Sequence, residues 1–247
     1  MRIIKVDAID STNTFVRKFY DNKGHFEPVC VSAAHQTNGR GQRGANWDVQ
    51  PGHNLTFSIL YPQRELNISR YFNLNICISL AILEVLRSKN IPYLKVKWPN
   101  DIMSQRKKLG GILIENIVKT EGIVASIIGI GVNVNQTNFN NLPQATSLKN
   151  VTGMHWNVDE LLHELCETLD LQLKALSKMS TEELMYEYQQ NLFRKDIIST
   201  FEANGSRFNG IIRGITSEGK LKVEQEEDLL QTYDLKEIKL LYYKSRI

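Results

Sequence analysis

The stretch HQTNGRGQRGANW, residues 35 to 47, is the segment from which the fold can be read outward. Gly39, Gly41 and Gly44 alternate with Arg40 and Arg43, so the backbone is free to take positive φ while guanidinium groups point into one small volume. Such a loop suits an anion gripped by main chain and side chain together; a merely flexible polar loop is the plainer alternative. PVCVSAA (28 to 34) reads as a buried strand delivering the chain into this loop, and HNLTFSIL (53 to 60) reads as the next strand. The loop therefore stands at the edge or end of a sheet, where backbone donors are available.

Toward the N-terminus, Arg2 to Val6 alternates like a short strand, and Ile9 to Asn13 offers several helix N-caps ahead of a helix through Phe15 and Phe19. Toward the C-terminus, apolar residues at Phe72, Ile76, Leu80, Leu83 and Leu86 recur with a helical period, predicting the main buried helix over Ser69 to Asn90. Leu94 to Asp101 (LKVKWPND) predicts a strand that ends at Pro99 and leaves Lys97, Asn100 and Asp101 at its exit. The basic run Arg106, Lys107 and Lys108 leads into an apolar strand from Leu109 to Glu115, whose Gly110 and Gly111 let another group approach the backbone closely. A partner strand follows over Gly122 to Gly131, across a turn near Lys119 to Gly122. Beyond it, Asn133 and Asn135 are spaced to put both amides on one face, suited either to a heterocycle edge or to turn formation.

Leucines at helical spacing over Asn157 to Met179 predict a helix on which His163 and Cys166 are structural. The capping box Ser180-Thr181-Glu182-Glu183 opens another helix, to about Leu192. After Phe193 the long period disappears. Ile197 to Ile247 reads as a small all-β barrel, with turns expected at Asn204-Gly205, Asn209-Gly210 and Glu218-Gly219.

Composition bounds the function. The 247 residues are 42% hydrophobic and 23% charged, the balance of an ordinary globular protein. No apolar run approaches the ~18 residues of a membrane span, and the acidic residues near the N-terminus do not suit a secretory segment, so no membrane association and a cytoplasmic location are expected. A net charge of +3 is too small to imply general nucleic-acid binding. Cys30, Cys77 and Cys166 are far apart among apolar neighbours, as expected of reduced core residues, and no protein-only metal site is read. Gly39 to Gly44 lacks the Lys-Ser/Thr ending of a Walker loop, and no Rossmann fingerprint is present.

Taken in order, DSTN (10 to 13), GRGQRGANW (39 to 47), KWPND (97 to 101), KLGGILIE (108 to 115) and GIGVNVN (129 to 135) resemble the motifs of the biotin protein ligases. The resemblance implies an α+β, mixed-sheet catalytic domain akin to class II aminoacyl-tRNA synthetases over residues 1–192, followed by an SH3-like β barrel over 193–247. It implies that ATP, Mg2+ and biotin give biotinoyl-AMP, and that biotin then passes to a lysine of a biotin carboxyl carrier protein or domain of a biotin-dependent carboxylase. Carried over residue by residue, Ser11, Thr12, Asn13 and Gln36 would line the biotin pocket, with Arg40, Gly41 and Gln42 closing over it. Lys108 would hold the biotin carboxylate and α-phosphate, and Gly110, Gly111 and Ile112 would lie along the ligand. Arg40, Arg43, Trp47, Lys97, Asn100 and Asn133 would serve the nucleotide, and Asp101 would act as base or orienting group beside Lys108 and Arg40.

Glutamine at position 42, where some relatives carry arginine, departs from the family pattern and bears on how tightly the adenylate is retained. The first strand starts a few residues after Met1, so no DNA-binding helix-turn-helix and no operator binding are expected; separately, the chain is expected to be a monomer or a homodimer. A lipoate or octanoate ligase or transferase on the related fold, and a non-enzymatic nucleic-acid- or phosphate-binding module, are the rival readings. The resemblance makes the Gly/Arg loop one that orders over biotinoyl-AMP. Limited proteolysis at Arg40 and Arg43 is therefore expected to slow when biotin and ATP are added together, and equal cleavage with and without them would contradict a closing loop.

Overall fold

The computed structural model describes residues 1–20, 27–63, 71–120, 122–139, 142–226 and 229–242, with the Arg43 side chain outside that description. Alternating side chains carry the chain through β1 (Arg2–Ile9), after which a short helix α1 (Thr12–Val16) begins at Ser11. β2 (Val29–Gln36), β3 (Leu55–Pro62), helix α2 (Tyr71–Ser88), β4 (Leu94–Lys97), β5 (Asp101–Ser104), β6 (Lys107–Lys119) and β7 (Gly122–Val132) follow. These seven strands form one mixed sheet in the order β1-β2-β3-β7-β6-β5-β4, in which only β1 and β2 are parallel neighbours.

β1 and β2 each run beyond their expected ends because they pair with each other: Ala8 lies opposite His35 and Ile9 opposite Gln36, so the two residues expected to open the loop belong to the sheet. The chain from Leu94 does not form one strand to Pro99. It makes a hairpin in which Lys97 pairs with Asp101 across a cis Trp98–Pro99 turn. Ser69 and Arg70, expected in the main helix, and Glu121, expected in the β6–β7 turn, lie outside the described residues.

Side chains alternate across the sheet. Phe57, Ile59, Ile112, Ile128 and Ile130 face the main core with α2, while Val31, Leu60 and Ile127 face a smaller cluster under α1. Helix α2 is apolar nearly all round and is the one described helix with the length and hydropathy of a membrane span, a correction to the expectation from apolar runs; 72% of that span is buried inside the protein. Its buried polar groups are satisfied. Asn73 donates to Thr181 Oγ1 at 2.8 Å and Asn75 donates to the Pro99 carbonyl at 2.7 Å.

An unanticipated helix α3 (Leu148–Thr152) precedes α4 (Val158–Ala175) and α5 (Thr181–Gln190). In α4 the leucines at 161, 162, 165, 169 and 173 are buried, and Asn157 caps the first turn by accepting from the Asp159 and Glu160 amides. Cys166 is in that core, with its sulfur 3.5 Å from Cys30, and His163 makes a local contact with the Asp159 carbonyl. All three cysteines are free and buried.

The remaining strands, β8 (Ile198–Ala203), β9 (Ser206–Ile215), β10 (Leu221–Glu224), β11 (Leu230–Tyr233) and β12 (Lys239–Leu241), form a separate antiparallel sheet in the order β11-β10-β9-β8-β12. Asn204 and Gly205, at φ 51° and 75°, make the two-residue β8–β9 turn that this dipeptide favours. Asn209-Gly210 is not a turn. Gly210 lies inside β9, where a Cβ would come within 2.7 Å of Val223, so the glycine serves close strand packing instead. This sheet is latched to the first: Trp98 Nε1 donates to the Gly219 carbonyl at 2.9 Å, and Gly219 itself lies against the Phe72 ring.

Among the described glycines of the first sheet, the closest approach to a neighbouring strand is at Gly110, where a Cβ would stand 2.6 Å from the Gly131 carbonyl oxygen. Gly110→Ala is expected to lower the unfolding free energy by about 1–3 kcal/mol, the usual cost of overpacking, in urea denaturation. A variant as stable as the wild type would show that β6 and β7 separate without cost.

Candidate active site

Three glycines make the floor of the site. Gly111 pairs with Gly131 and Leu113 with Gly129 in adjacent strands β6 and β7, so Gly111, Gly129 and Gly131 all face away from the α2 core. The space that side chains would fill is taken by groups from other elements. A Cβ at Gly129 would lie 2.4 Å from Asn13 Oδ1, and one at Gly131 would lie 2.4 Å from the Trp47 ring.

A buried polar network closes one end of this floor. Thr12 donates to Gln36 Oε1 through its amide at 2.7 Å and through its hydroxyl at 2.9 Å. The Ser58 hydroxyl lies 2.6 Å from Thr12 Oγ1 and 2.5 Å from Asn13 Oδ1, while Asn13 Nδ2 donates to Glu115 at 2.7 Å. Glu115 also holds Arg40 at 3.3 Å, and the same guanidinium donates to Thr14 Oγ1 at 3.3 Å. With about 1 kcal/mol per satisfied hydrogen bond, the chain of contacts fixes the rotamers of Thr12, Asn13 and Gln36 before any ligand meets them.

The other end is ionic. In the β5–β6 ladder Asp101 lies opposite Gly111 and Ile102 opposite Gly110, but Met103 lies opposite Lys108, so Leu109 is an extra residue in β6. That bulge turns Lys108 onto the face that carries Asp101. Lys108 Nζ meets Asp101 Oδ1 at 2.6 Å and Lys97 Nζ meets Oδ2 at 3.0 Å, placing one carboxylate, 14% exposed, between two ammonium groups. Burial alone would push the Asp101 carboxyl up; Lys97 and Lys108 beside it outweigh that and hold it below the usual carboxylate range. The turn between the lysine and the aspartate is clamped from three sides: Asn75 and Tyr188 both donate to the Pro99 carbonyl, and Asn100 Nδ2 donates to Ile112 O at 2.7 Å.

The Gly/Arg loop folds back over this arrangement as a tight hairpin, with Gly41 N donating to Ala45 O at 2.6 Å and Trp47 N donating to Gly39 O at 2.9 Å. Trp47 lies on Gly131 with its ring 5.6 Å from Lys108 Nζ, and its buried indole N–H has no acceptor among the described residues. The cavity enclosed beneath the loop measures 50 Å³ and is lined by Ser11, Thr12, Asn13, Gln36, Arg40, Gly41, Gln42, Trp47, Asn100, Lys108, Gly111 and Ile112. Small-molecule sites usually span roughly 300–1,000 Å³, so the space beneath the seated Trp47 is smaller than such a ligand needs. A second cavity of 310 Å³ adjoins it through Gly41, Gln42, Trp47, Asn100 and Lys108, and is lined further by Lys97 and Asp101.

Two of the expected site residues are placed elsewhere. Gly110 faces the Gly131 backbone and lines neither cavity, because it alternates with Gly111 and shares the face of core residue Ile102. Asn133 also lines neither: it is buried, and its Nδ2 donates to Thr146 O at 2.9 Å. Asn135 likewise accepts from Trp156 N and donates to Trp156 O. Through these bonds both amides tie residues 146–156 to the end of β7. The side chain of Arg43 lies outside the described residues. Sequence reasoning missed Gly129 and Gly131 as floor residues, although the alternation Gly-Ile-Gly was a signal. It also missed Ser58 and Glu115, for which no local pattern exists.

Residues 6–133 match the model of the biotin/lipoate A/B protein ligase family. The bifunctional ligase/repressor BirA of Escherichia coli K12 is 29% identical over 233 residues, 89% of this chain and 68% of that protein. A biotin–[acetyl-CoA-carboxylase] ligase of Paracoccus denitrificans is 33% identical over 127 residues, 51% of each chain. The structure of the biotin protein ligase from Aquifex aeolicus in complex with biotin and ATP superposes with a TM-score of 0.81 at 26% identity, covering 97% of this chain and 98% of that one.

The depressed Asp101 carboxyl contributes stability that is present above the ordinary carboxylate range near ~3.9 and is lost as pH falls through its lower folded value. Between pH 5 and pH 3 the wild type is therefore expected to lose more unfolding free energy than Asp101→Asn, measured by urea titration at each pH. Parallel acid profiles for the two proteins would contradict the two-lysine pairing.

Proposed function

The chain belongs to the biotin/lipoate A/B protein ligase family, and on that premise we propose that it is a biotin protein ligase. It activates biotin with MgATP to biotinoyl-AMP and pyrophosphate, and transfers the biotinyl group to a lysine of a carboxyl carrier domain. The observation that carries this reading is the convergence of all five motifs on one glycine floor, with the hydrogen-bonded Thr12, Asn13, Gln36 and Ser58 at one end and two lysines at the other.

The two ends fit the two halves of the acid. A cyclic urea needs donors for its carbonyl and acceptors for its N–H groups, and Thr12, Asn13, Gln36 and Ser58 supply both without charge. The aliphatic chain lies along Gly111, Gly129 and Gly131, where the floor itself carries no side chains. Its carboxylate then arrives at Lys108. In the first step a carboxylate oxygen attacks the α-phosphorus while the bond to pyrophosphate breaks. Two anions must meet, so Lys108, Lys97 and Arg40 lower the barrier by neutralising charge. Arg40 reaches the phosphate by exchanging its Glu115 partner for the ligand.

In the second step the acceptor amine, once deprotonated, attacks the carbonyl of the mixed anhydride and AMP leaves. Asp101 is not suited to take that proton: both its oxygens already accept from ammonium groups, and its carboxyl is held below the usual range. Of its two expected roles, orienting Lys97 and Lys108 is the one its geometry favours. Mg2+ enters with ATP as part of the substrate.

Biotin-dependent ATP/pyrophosphate exchange tests this reading. Folded wild type is expected to exchange label only with biotin present, and Lys108→Ala to lose about 100-fold in kcat/KM. Exchange driven by lipoate but not biotin would move the chain to the related activity, and undiminished exchange by Lys108→Ala would remove that lysine from the mechanism.

A further inference from the structure

The 310 Å³ cavity beside Lys97, Asp101 and Lys108 is closed on its far side by the second sheet, through Ile212, Leu221 and Tyr242. Tyr242 follows β12 directly. Its ring lies under the Lys97 ammonium at 5.5 Å from Nζ, and is itself held edge-on by Phe193 at 5.5 Å between centroids. Phe193 in turn is tied to the first sheet by its amide, which donates to the Val96 carbonyl at 2.8 Å.

A lysine is a point charge on a flexible stem and keeps one orientation only when its surroundings impose it. Lys97 has one ionic partner, Asp101 Oδ2, which fixes one of its three N–H directions. The Tyr242 face supplies a second restraint that withdraws no N–H group, because the attraction is to the ring's electron density. We infer that Tyr242 is a positioning residue that aims Lys97 at the nucleotide phosphates, making the C-terminal sheet part of the catalytic unit. The inference rests on the reading that this cavity receives the nucleotide. The ring, and not the hydroxyl, does the positioning. Burial, with the Asp101 charge adding to it, pushes the Tyr242 phenol up to about 12, so it stays neutral and gives up no proton near neutral pH.

The test reads binding rather than turnover, so that it is independent of the ligase assay. Tyr242→Leu, Tyr242→Phe, Lys97→Met and the Tyr242→Leu/Lys97→Met double variant would each be titrated calorimetrically with α,β-methylene-ATP and Mg2+, and separately with biotin. Loss of the ring is expected to weaken the nucleotide about 5-fold with biotin affinity unchanged, and Tyr242→Phe is expected to match the wild type. The double variant is expected to bind no more weakly than Lys97→Met, since Tyr242 acts through that lysine.

Additive losses in the double variant, unchanged nucleotide affinity in Tyr242→Leu, or a Tyr242→Phe variant as weak as Tyr242→Leu would each overturn the proposal. Equal weakening of biotin and nucleotide would assign Tyr242 a merely structural role and overturn it too. If Tyr242→Leu does not fold, Tyr242→Trp, which keeps a ring face, must bind the nucleotide at least as tightly as wild type, and weaker binding overturns the proposal. Absence of biotin-dependent exchange with nucleotide binding intact would count against the ligase reading and leave these binding comparisons decisive for Tyr242.

Discussion

One extra residue in β6 decides where the site's charge lies. In an unbulged antiparallel ladder Lys108 would stand opposite Ser104 and share a face with Ile102, whose side chain is in the core. With Leu109 inserted it stands opposite Met103, shares a face with Asp101, and finds the carboxylate at 2.6 Å. Gly111 completes the arrangement, since a Cβ there would press within 3.3 Å of the lysine ammonium. The break in alternation at Leu109 is what brings this cation from the core side of the sheet to its open face.

The rest of the molecule is built to keep that face both open and supported. Helices α2 and α5 bind the Pro99 carbonyl, the second sheet binds Trp98 through Gly219, and Asn100 reaches across to β6, so the turn bearing Lys97 and Asp101 is held from every neighbouring element. Among the described residues, the Gly/Arg hairpin meets the sheet through the Arg40–Glu115 ion pair and through the Trp47 indole, which lies on Gly131 beside Lys108. A rigid base beneath a weakly attached cover is the division of labour expected where a reactive anhydride must be admitted, shielded from water and released.

The legible parts of the fold were those governed by neighbouring residues. The leucine period of α4, the Ser180 cap of α5 and the Asn204-Gly205 turn each follow from contacts within a few positions, and each forms where the sequence predicts it. Asn209-Gly210 shows the limit of the same reasoning, because the identical dipeptide lies inside a strand where Val223 from the next strand needs the space. Asn133 and Asn135 show it again: no neighbouring residue announces that their amides bond to Thr146 and Trp156, which reach them only in the folded chain.

By itself the sequence determined the chemistry available: five motifs in order, glycines where backbone must be approached, lysines and an arginine for anionic substrates, and uncharged hydrogen-bonding groups at Thr12, Asn13 and Gln36. Only the tertiary structure decided how those groups meet. The pairing of Gly111 with Gly131, the bulge at Leu109, the Glu115 partner of Arg40 and the Tyr242 ring under Lys97 all join residues distant in the chain. Register and sheet-to-sheet packing are collective properties of long-range contacts, so no local pattern encodes them and they exist only once the whole sheet has closed.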